Sequence, residues 1–445
     1  MKIRGLLAIW AAKAAGAVCR RMGRQGVTWA GKIALKIDPS ILEELSGQVR
    51  KKIFVVCGTN GKTTTNNLLC AALEAEGAKV VCNHTGSNML NGVAAAFVLE
   101  AGLNGKIDAD YACIEADEAS TRYIFPPLQP DYMILTNLFR DQLDRYGEID
   151  ITMNILKEMI QKVDKMTLIV NGDDALSAFL AQETGKPCVT YGILEKTVKE
   201  EGTEIREGRF CKKCGTKLEY RFYHYSQLGD YYCPGCGFER PHLDYGAEAV
   251  KLGDQISFTV EDRRLVADYK GFYNVYNLLA AYAAGRSAGL KLEHFNEMLR
   301  KFHPENGRME QFRMGQTGIT LNLAKNPAGF NQNIAAVMQD TNPKDIIIVI
   351  NDNAQDGRDI SWLWDVDFDR FQEESIHSIT VSGIRCQDMR LRLKYVDIPS
   401  ILEADVETAI RDRIRDGVGN LYVLVNYTAL FSTRNILKKI EGEKK

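Results

Sequence analysis

The residues best suited to chemistry lie in the run Ile53-Phe54-Val55-Val56-Cys57-Gly58-Thr59-Asn60-Gly61-Lys62-Thr63-Thr64-Thr65. An apolar, β-branched stretch breaks at Gly58 and gives way to Lys-Thr and a segment of helical composition, Asn66 to Glu76. Strand, glycine turn and helix N-terminus together suit phosphate: backbone N–H groups along Gly58, Thr59, Asn60 and Gly61 close on its oxygens, and the helix adds a positive dipole end. Lys62 would reach the outer phosphates, the Thr63 hydroxyl would sit on Mg2+, and Thr64 completes the first turn. The usual loop has a glycine five residues before its Gly-Lys pair, but Val56 stands there and the first glycine comes at Gly58. A βα turn that binds nothing is the plainer alternative. Gly-x-x-Gly-Lys-Thr-Thr directly after a strand argues against it.

Glu115 ends a second strand candidate, Tyr111–Glu115, and Asp117 and Glu118 follow. Ligands of open α/β sheets bind at strand carboxyl ends, so Glu115 is placed to meet the cation held by Thr63; otherwise it belongs to a solvated acidic turn. Cys211-x-x-Cys214-Gly and Cys233-x-x-Cys236-Gly are two knuckles separated by eighteen residues. That spacing fits a closed four-thiolate zinc ribbon of structural role. Two disulfides or a redox pair are the alternatives, and both suit a cytosolic protein poorly. Tyr220, Phe222, Tyr223, Tyr225, Tyr231 and Tyr232 between the pairs are expected to form the core of a unit too small to fold without metal. Stacking on nucleic-acid bases is the competing use. A further acidic loop, Asn351-Asp352-Asn353-Ala354-Gln355-Asp356-Gly357-Arg358-Asp359, follows the strand candidate Asp345–Ile350 and marks a site, an interface or a solvated turn.

These residues need a framework of parallel strands and helices. Strand candidates Val80–Cys82, Tyr111–Glu115, Tyr132–Thr136 and Thr167–Val170 alternate with helical stretches, the pattern of a doubly wound α/β sheet. The 445 residues exceed one ordinary domain, and 45% hydrophobic with 26% charged residues is a globular composition. A formal charge of -2 argues against a general nucleic-acid binder. Eleven cysteines, an odd number without a secretory signal, point to a reducing cytoplasm. Gly5–Ala12 is apolar behind Lys2 and Arg4, but Lys13 interrupts it and the run is too short to span a bilayer. A surface helix is expected there, with a basic helix resting on the inner membrane face as the alternative.

The shortened phosphate loop resembles that of the Mur ligase superfamily, and further segments extend the likeness. Thr136-Asn137-Leu138-Phe139-Arg140-Asp141-Gln142-Leu143-Asp144 resembles the family's Thr-Asn-x-x-x-Asp-His-Leu-Asp, with Gln142 replacing a metal-binding His. Lys157 lies where some members carry a carbamylated lysine; a plain helix-surface lysine is the preferred reading. Gly271-Phe272-Tyr273-Asn274-Val275-Tyr276-Asn277 resembles a nucleotide-contacting segment, which assigns Asn274 to the nucleotide. Asn306-Gly307-Arg308-Met309-Glu310 resembles the linker whose arginine approaches the γ-phosphate, which assigns Arg308. Ala324-Lys325-Asn326-Pro327 stands where amino-acid-adding members have His-Asn-Pro.

The ribbon and the 351–362 loop on this framework are similar to the MurT family of synthetase subunits. The resemblance implies a helical lead-in (1–50), a Mur ligase-type ATP-binding central domain (51–305) with the ribbon inserted at 206–242, and a C-terminal α/β domain (306–445) that docks a glutaminase partner. It implies ATP and Mg2+ as cofactors, Mg2+ on Thr63 and Glu115, beside a structural Zn2+ on Cys211, Cys214, Cys233 and Cys236. The implied reaction amidates the D-glutamate α-carboxylate of the lipid II stem to D-isoglutamine through an acyl phosphate, with ammonia from a GatD-like subunit in a heterodimer. Lys62 and Glu115 would serve the phosphoryl transfer. A carboxylate of the C-terminal loop would complete the partner's triad: Asp356 is the choice, with Asp352 and Asp359 open. A self-sufficient Mur-type amino-acid ligase is the alternative, disfavoured by Lys325 and the acidic loop. A nucleotide-switched module that binds nucleic acid is disfavoured because Glu219, Asp230 and Glu239 offset the ribbon's basic residues.

Overall fold

In the computed structural model, the described residues are 3–21, 27–139, 149–197, 207–253, 255–268, 270–302, 307–417 and 419–443. Gln142 and the rest of 140–148 lie outside them, as does Asn306. The expected strands form: β1 (Lys52–Cys57), β2 (Val80–Cys82), β3 (Tyr111–Glu115), β4 (Tyr132–Leu135) and β5 (Thr167–Asn171); β6 (Cys188–Ile193) adds one that the sequence pattern does not single out. A hairpin of β7 (Glu219–Tyr225) and β8 (Leu228–Tyr232) follows, then β9 (Tyr245–Lys251), β10 (Ile256–Val260) and β11 (Arg263–Ala267). The central sheet runs β11-β10-β9-β6-β5-β4-β1-β3-β2. It is parallel from β2 to β9, and β10 and β11 add an antiparallel edge.

The position of β1 decides where the site lies. It pairs with β3 on one side and β4 on the other, so the chain leaves its carboxyl end at the point where strand order reverses. That is where an open parallel sheet leaves a crevice. β1 is buried on both faces, as its continuous apolar run requires. Helices Lys62–Ala75, Tyr273–Ser287 and Phe295–Lys301 cover one face. The other is covered by Leu90–Glu100, Thr121–Leu128, Ile149–Lys162 and Ala175–Thr184, together with the N-terminal helices. Ala8, Ile9 and Ala12 of helix Ile3–Arg21 are fully buried in that core while Ile3, Leu7 and Trp10 are exposed, so the expected surface helix packs one face against the central body.

The second sheet is built from β12 (Glu310–Met314), β13 (Thr317–Leu323), β14 (Lys344–Val349), β15 (Ile376–Ser382), β16 (Ile401–Leu402) and β17 (Asn420–Val425), in the order β12-β13-β17-β14-β15-β16. β14 is fully buried between β17 and β15, all parallel. The acidic loop thus leaves the carboxyl end of its sheet, beside the start of helix Tyr427–Glu443.

Candidate active site

The turn after β1 is held in one shape. Gly58 has φ +120°, and a Cβ there would lie 2.4 Å from Thr136 Oγ1. Gly61 has φ +83°, and its Cβ would lie 2.2 Å from Asn277 Oδ1. Only glycine meets both conditions. Around them, Thr59 N–H donates to Asn137 O at 2.9 Å, Asn60 N–H to Asn137 Oδ1 at 2.9 Å, and Thr136 Oγ1 to Asn60 O at 2.8 Å. The Thr-Asn segment therefore braces this turn from the next strand.

Lys62 opens helix Lys62–Ala75 and is buried, its Nζ 3.0 Å from Glu118 Oε1 and also donating to Gly58 O. Burial opposes its charge, but Glu118 and then Asp117 outweigh burial and push its pKa up, so it stays an ammonium. Arg308 reaches across from the linker, Nη2 donating to Thr63 Oγ1 at 3.3 Å. Burial lowers its pKa against the attraction of Glu115.

Glu115 is 2% exposed. Its Oε1 accepts from Asn88 Nδ2 at 2.9 Å, whereas its Oε2 is buried without a hydrogen-bond partner. A Cβ added to Gly86 would sit 3.2 Å from both that Oε2 and Thr63 Oγ1, so the two oxygens flank one spot. A buried, unpartnered carboxylate oxygen beside a hydroxyl is a donor set suited to a hard cation.

These groups converge on a cavity of about 420 Å³ between the two sheets. Thr59, Asn60, Gly61, Lys62, Thr63 and Thr64 line it, and so do Glu115 and Arg308. Neither Gly58 nor Asn274 lines it. Asn274 Nδ2 donates to Lys270 O at 2.7 Å and its Oδ1 accepts from Asn277 Nδ2 at 2.9 Å, so it orients Asn277, which does line the cavity. The sequence signal for this was present: positions 274 and 277 share one helix face, and either could point inward. Lys157 donates to Glu183 Oε2 at 2.8 Å and is not among the lining residues.

The C-terminal sheet supplies the opposite wall. Asn326 caps helix Pro327–Met338, its Oδ1 accepting from Gly329 N at 2.8 Å, and its Nδ2 donates to Asn60 Oδ1 at 3.1 Å. Lys325 lines the cavity beside that helix N-terminus. Ala354 and Gln355 of the acidic loop also reach the cavity, but Asp356 does not. Asp356 is 4% exposed: Oδ1 accepts from Thr428 N at 2.7 Å, and Oδ2 accepts from Asn353 N at 3.2 Å and from the Thr428 hydroxyl. Burial raises its pKa, against those hydrogen bonds.

The four ribbon cysteines meet, with all four Sγ atoms within 4.8 Å of one another. Gly215 and Gly237 take positive φ, and each donates back to the first cysteine of its knuckle. The hairpin does not stand apart, however. Gln227 donates to Leu138 O at 2.8 Å and Asp174 Oδ1 at 2.7 Å, and His224 Nδ1 lies 2.6 Å from the Tyr276 hydroxyl. Tyr231, with Tyr220 packed against it, forms the ribbon core with Leu218 and Phe238 as expected, whereas Phe222, Tyr223 and Tyr232 are half-buried outside that cluster. Tyr225 departs from that expectation: it packs among Phe272, Tyr276 and Phe139 of the central domain and lines the cavity.

Known proteins match this arrangement over most of the chain. The family description Mur ligase middle domain matches residues 56–232, and MurT ligase C-terminal matches residues 323–430. The chain is 36% identical over 432 residues to a Staphylococcus aureus protein named lipid II isoglutaminyl synthase (glutamine-hydrolyzing) subunit MurT, covering 96% of each. It is 34% identical to the protein of the same name from Streptococcus pneumoniae, covering 98% of each. Among solved structures, a pseudomurein peptide ligase type C from Methanothermus fervidus has the same fold, with a TM-score of 0.69 at 23% identity, over 88% of this chain and 79% of that one. This chain belongs to the MurT family of Mur ligase-type proteins.

Proposed function

We propose that this chain is the ATP-dependent synthetase of a two-subunit amidotransferase acting on lipid II in peptidoglycan synthesis. The observation that carries the reading is the convergence of Lys62, Arg308, Thr63 and the unpartnered Glu115 Oε2 on one cavity, in a chain similar to subunits named for lipid II isoglutaminyl synthesis. The stem D-glutamate α-carboxylate attacks the γ-phosphorus of ATP and ADP departs; ammonia then attacks the acyl carbon and phosphate departs. A carboxylate needs that leaving group before an amine can displace it. Lys62 and Arg308 offset charge on the transferring phosphoryl, and the glycine turn holds the phosphates. Thr63 and Glu115 fit Mg2+, which when bound supplies further neutralisation of phosphate charge. Asn277 and Tyr225 border the nucleotide. The division into 1–50, 51–305 and 306–445 belongs to the same proposal.

The four cysteines fit structural Zn2+. Zinc folds the hairpin whose tip carries Tyr225, so stripping it with a chelator should take Tyr225 out of the cavity wall. Nucleotide affinity should then fall by about 1 kcal/mol, about fivefold. Nucleotide titration of the full chain before and after chelation checks this, and an unchanged affinity counts against it.

Ammonia is delivered by a GatD-like glutaminase subunit, whose Cys and His need a carboxylate to orient the imidazole. Asp356 is the carboxylate expected from the sequence, yet both its oxygens already anchor the loop to Thr428 and Asn353. Asp352 is held by Arg385 at 3.1 Å. Asp359 is only half-buried, with Oδ1 accepting from Ser361 N at 2.8 Å. We assign the triad carboxylate to Asp359, which is more exposed than Asp356, and the anchoring of its loop to Asp356. Asp359→Asn should abolish glutamine-fed amidation and spare the ammonium-fed reaction. Asp356→Asn should lower thermal stability and weaken both. If Asp356→Asn alone gives the clean split, the triad carboxylate is Asp356.

Among the described residues, no helix is long and apolar enough to cross a membrane. Lys2, Arg4, Lys13, Arg20, Arg21, Arg24, Lys32 and Lys36 all precede the first acidic residue, Asp38, and Ile3, Leu7, Trp10 and Trp29 are exposed. That combination favours peripheral contact with an anionic membrane face, where a lipid-linked substrate would be met from the cytoplasm.

The deciding experiment supplies lipid II and ATP to the chain without a partner. Amidation with ammonium but not with glutamine supports the proposal. ATP hydrolysis that depends on a free amino acid would instead identify a self-sufficient ligase.

A further inference from the structure

A second group of metal-binding side chains lies behind the phosphate-loop helix, away from the ribbon. Cys70 is on the third turn of helix Lys62–Ala75, Cys82 ends β2, and His84 follows two residues later. The two Sγ atoms and a ring nitrogen of His84 all lie within 4.8 Å of one another, with Cys70 Sγ 4.0 Å from His84 Nε2. We propose that Cys70, Cys82 and His84 bind a second zinc ion.

Two thiolates and an imidazole form a borderline-soft donor set that suits Zn2+ and is poor for Mg2+ or Ca2+. Tetrahedral zinc with these bond lengths spaces its ligands about 3.5–3.8 Å apart. The Cys70–His84 spacing of 4.0 Å therefore needs about 0.5 Å of closure. His84 can supply it, because its side chain is exposed at the start of a loop. Cys70 is buried and Cys82 half-buried, so the three ligands form a cup open on the histidine side, where water takes the fourth position. Outer-sphere support is in place: Asn66 Nδ2 donates to Cys82 Sγ at 3.2 Å, the kind of N–H contact that steadies a bound thiolate. On coordination each thiol gives its proton to solvent.

The site's position gives the ion a task. Asn83, between Cys82 and His84, holds the Glu115 backbone through Asn83 Nδ2 to Glu115 O at 2.9 Å and Glu115 N to Asn83 Oδ1 at 2.8 Å. Asn88 of the same loop donates to Glu115 Oε1, and Gly86 leaves room beside Glu115 Oε2 and Thr63 Oγ1 that a Cβ would take. Zinc joining Cys70 to His84 ties this loop to the helix that begins at Lys62, fixing the two walls between which Thr63 and Glu115 face each other. The inference does not rest on the amidation proposed above, because its readout is metal content.

The test is zinc stoichiometry of the full-length chain, purified with reductant and dialysed against metal-free buffer. Two zinc ions per chain are expected for the wild type and one for Cys82→Ser/His84→Ala. Cobalt substitution gives an independent reading: the double variant should lose about a third of the thiolate-to-cobalt absorption, two of six sulfur ligands. His84→Ala alone changes an exposed side chain and should leave the fold intact while making one zinc removable by a mild chelator. A single zinc in the wild type, two in the double variant, or a Cys70–Cys82 disulfide in place of metal would overturn the proposal.

Discussion

Lys62→Ala should reduce ATP-dependent amidation of lipid II by about 10²–10³-fold, the usual loss when a preorganised charge donor is removed from a phosphoryl or oxyanion site. The same substitution should also destabilise the chain. Lys62 and Glu118 are 7% and 6% exposed at 3.0 Å, and removing one partner of a buried pair leaves an uncompensated charge at a cost of about 3–5 kcal/mol. The two effects are separable. Lys62→Ala/Glu118→Gln removes the stranded carboxylate, so its melting temperature should return towards the wild type while its rate stays low. If activity returns along with stability in the double variant, Lys62 acts on the fold and not on the phosphoryl group.

Glu115→Gln should move activity and stability in opposite directions. In the folded chain Glu115 Oε2 is buried and unpartnered, a configuration that costs free energy unless a cation completes it. A neutral amide keeps the Asn88 contact through its oxygen, so the metal-free melting temperature should hold or rise. Turnover should fall by about 10²-fold or more, with part of the loss recovered at raised Mg2+, because the carboxylate's share of cation binding is gone. Magnesium titration of turnover, beside thermal unfolding in chelator, reads both quantities. A variant that is destabilised without metal yet turns over normally at limiting Mg2+ would remove Glu115 from the cation site.

These two residues also mark how far the sequence could be read. Both were identified as candidates, Lys62 from the glycine turn and Glu115 from its place at a strand end. Glu118, 56 residues from Lys62, is the ion-pair partner that makes the Lys62 prediction double-edged. It stood in the sequence only as part of an acidic run. The pairing arises because β1 and β3 lie side by side, which brings the turns at their carboxyl ends together.

Local chemistry was legible in the sequence wherever it depends on neighbouring residues. The glycine turn after β1, the two knuckles and the buried parallel strands are set by backbone torsion, hydrogen bonding over a few residues and the length of apolar runs. Tertiary structure decided what those rules leave degenerate. It turned Asn277 rather than Asn274 to the cavity, although both share a helix face. It seated Tyr225 of the ribbon in the cavity wall, because the hairpin tip is drawn into the buried network of Asp174, Gln227 and Tyr276. It locked Asp356 against Thr428 on a helix 72 residues later, while Asp352 and Asp359 of the same loop stay half-exposed. It also drew Cys70, Cys82 and His84 together from a helix, a strand and a loop. Each outcome depends on the packing of whole elements, and no local pattern in the chain encodes where distant elements will meet.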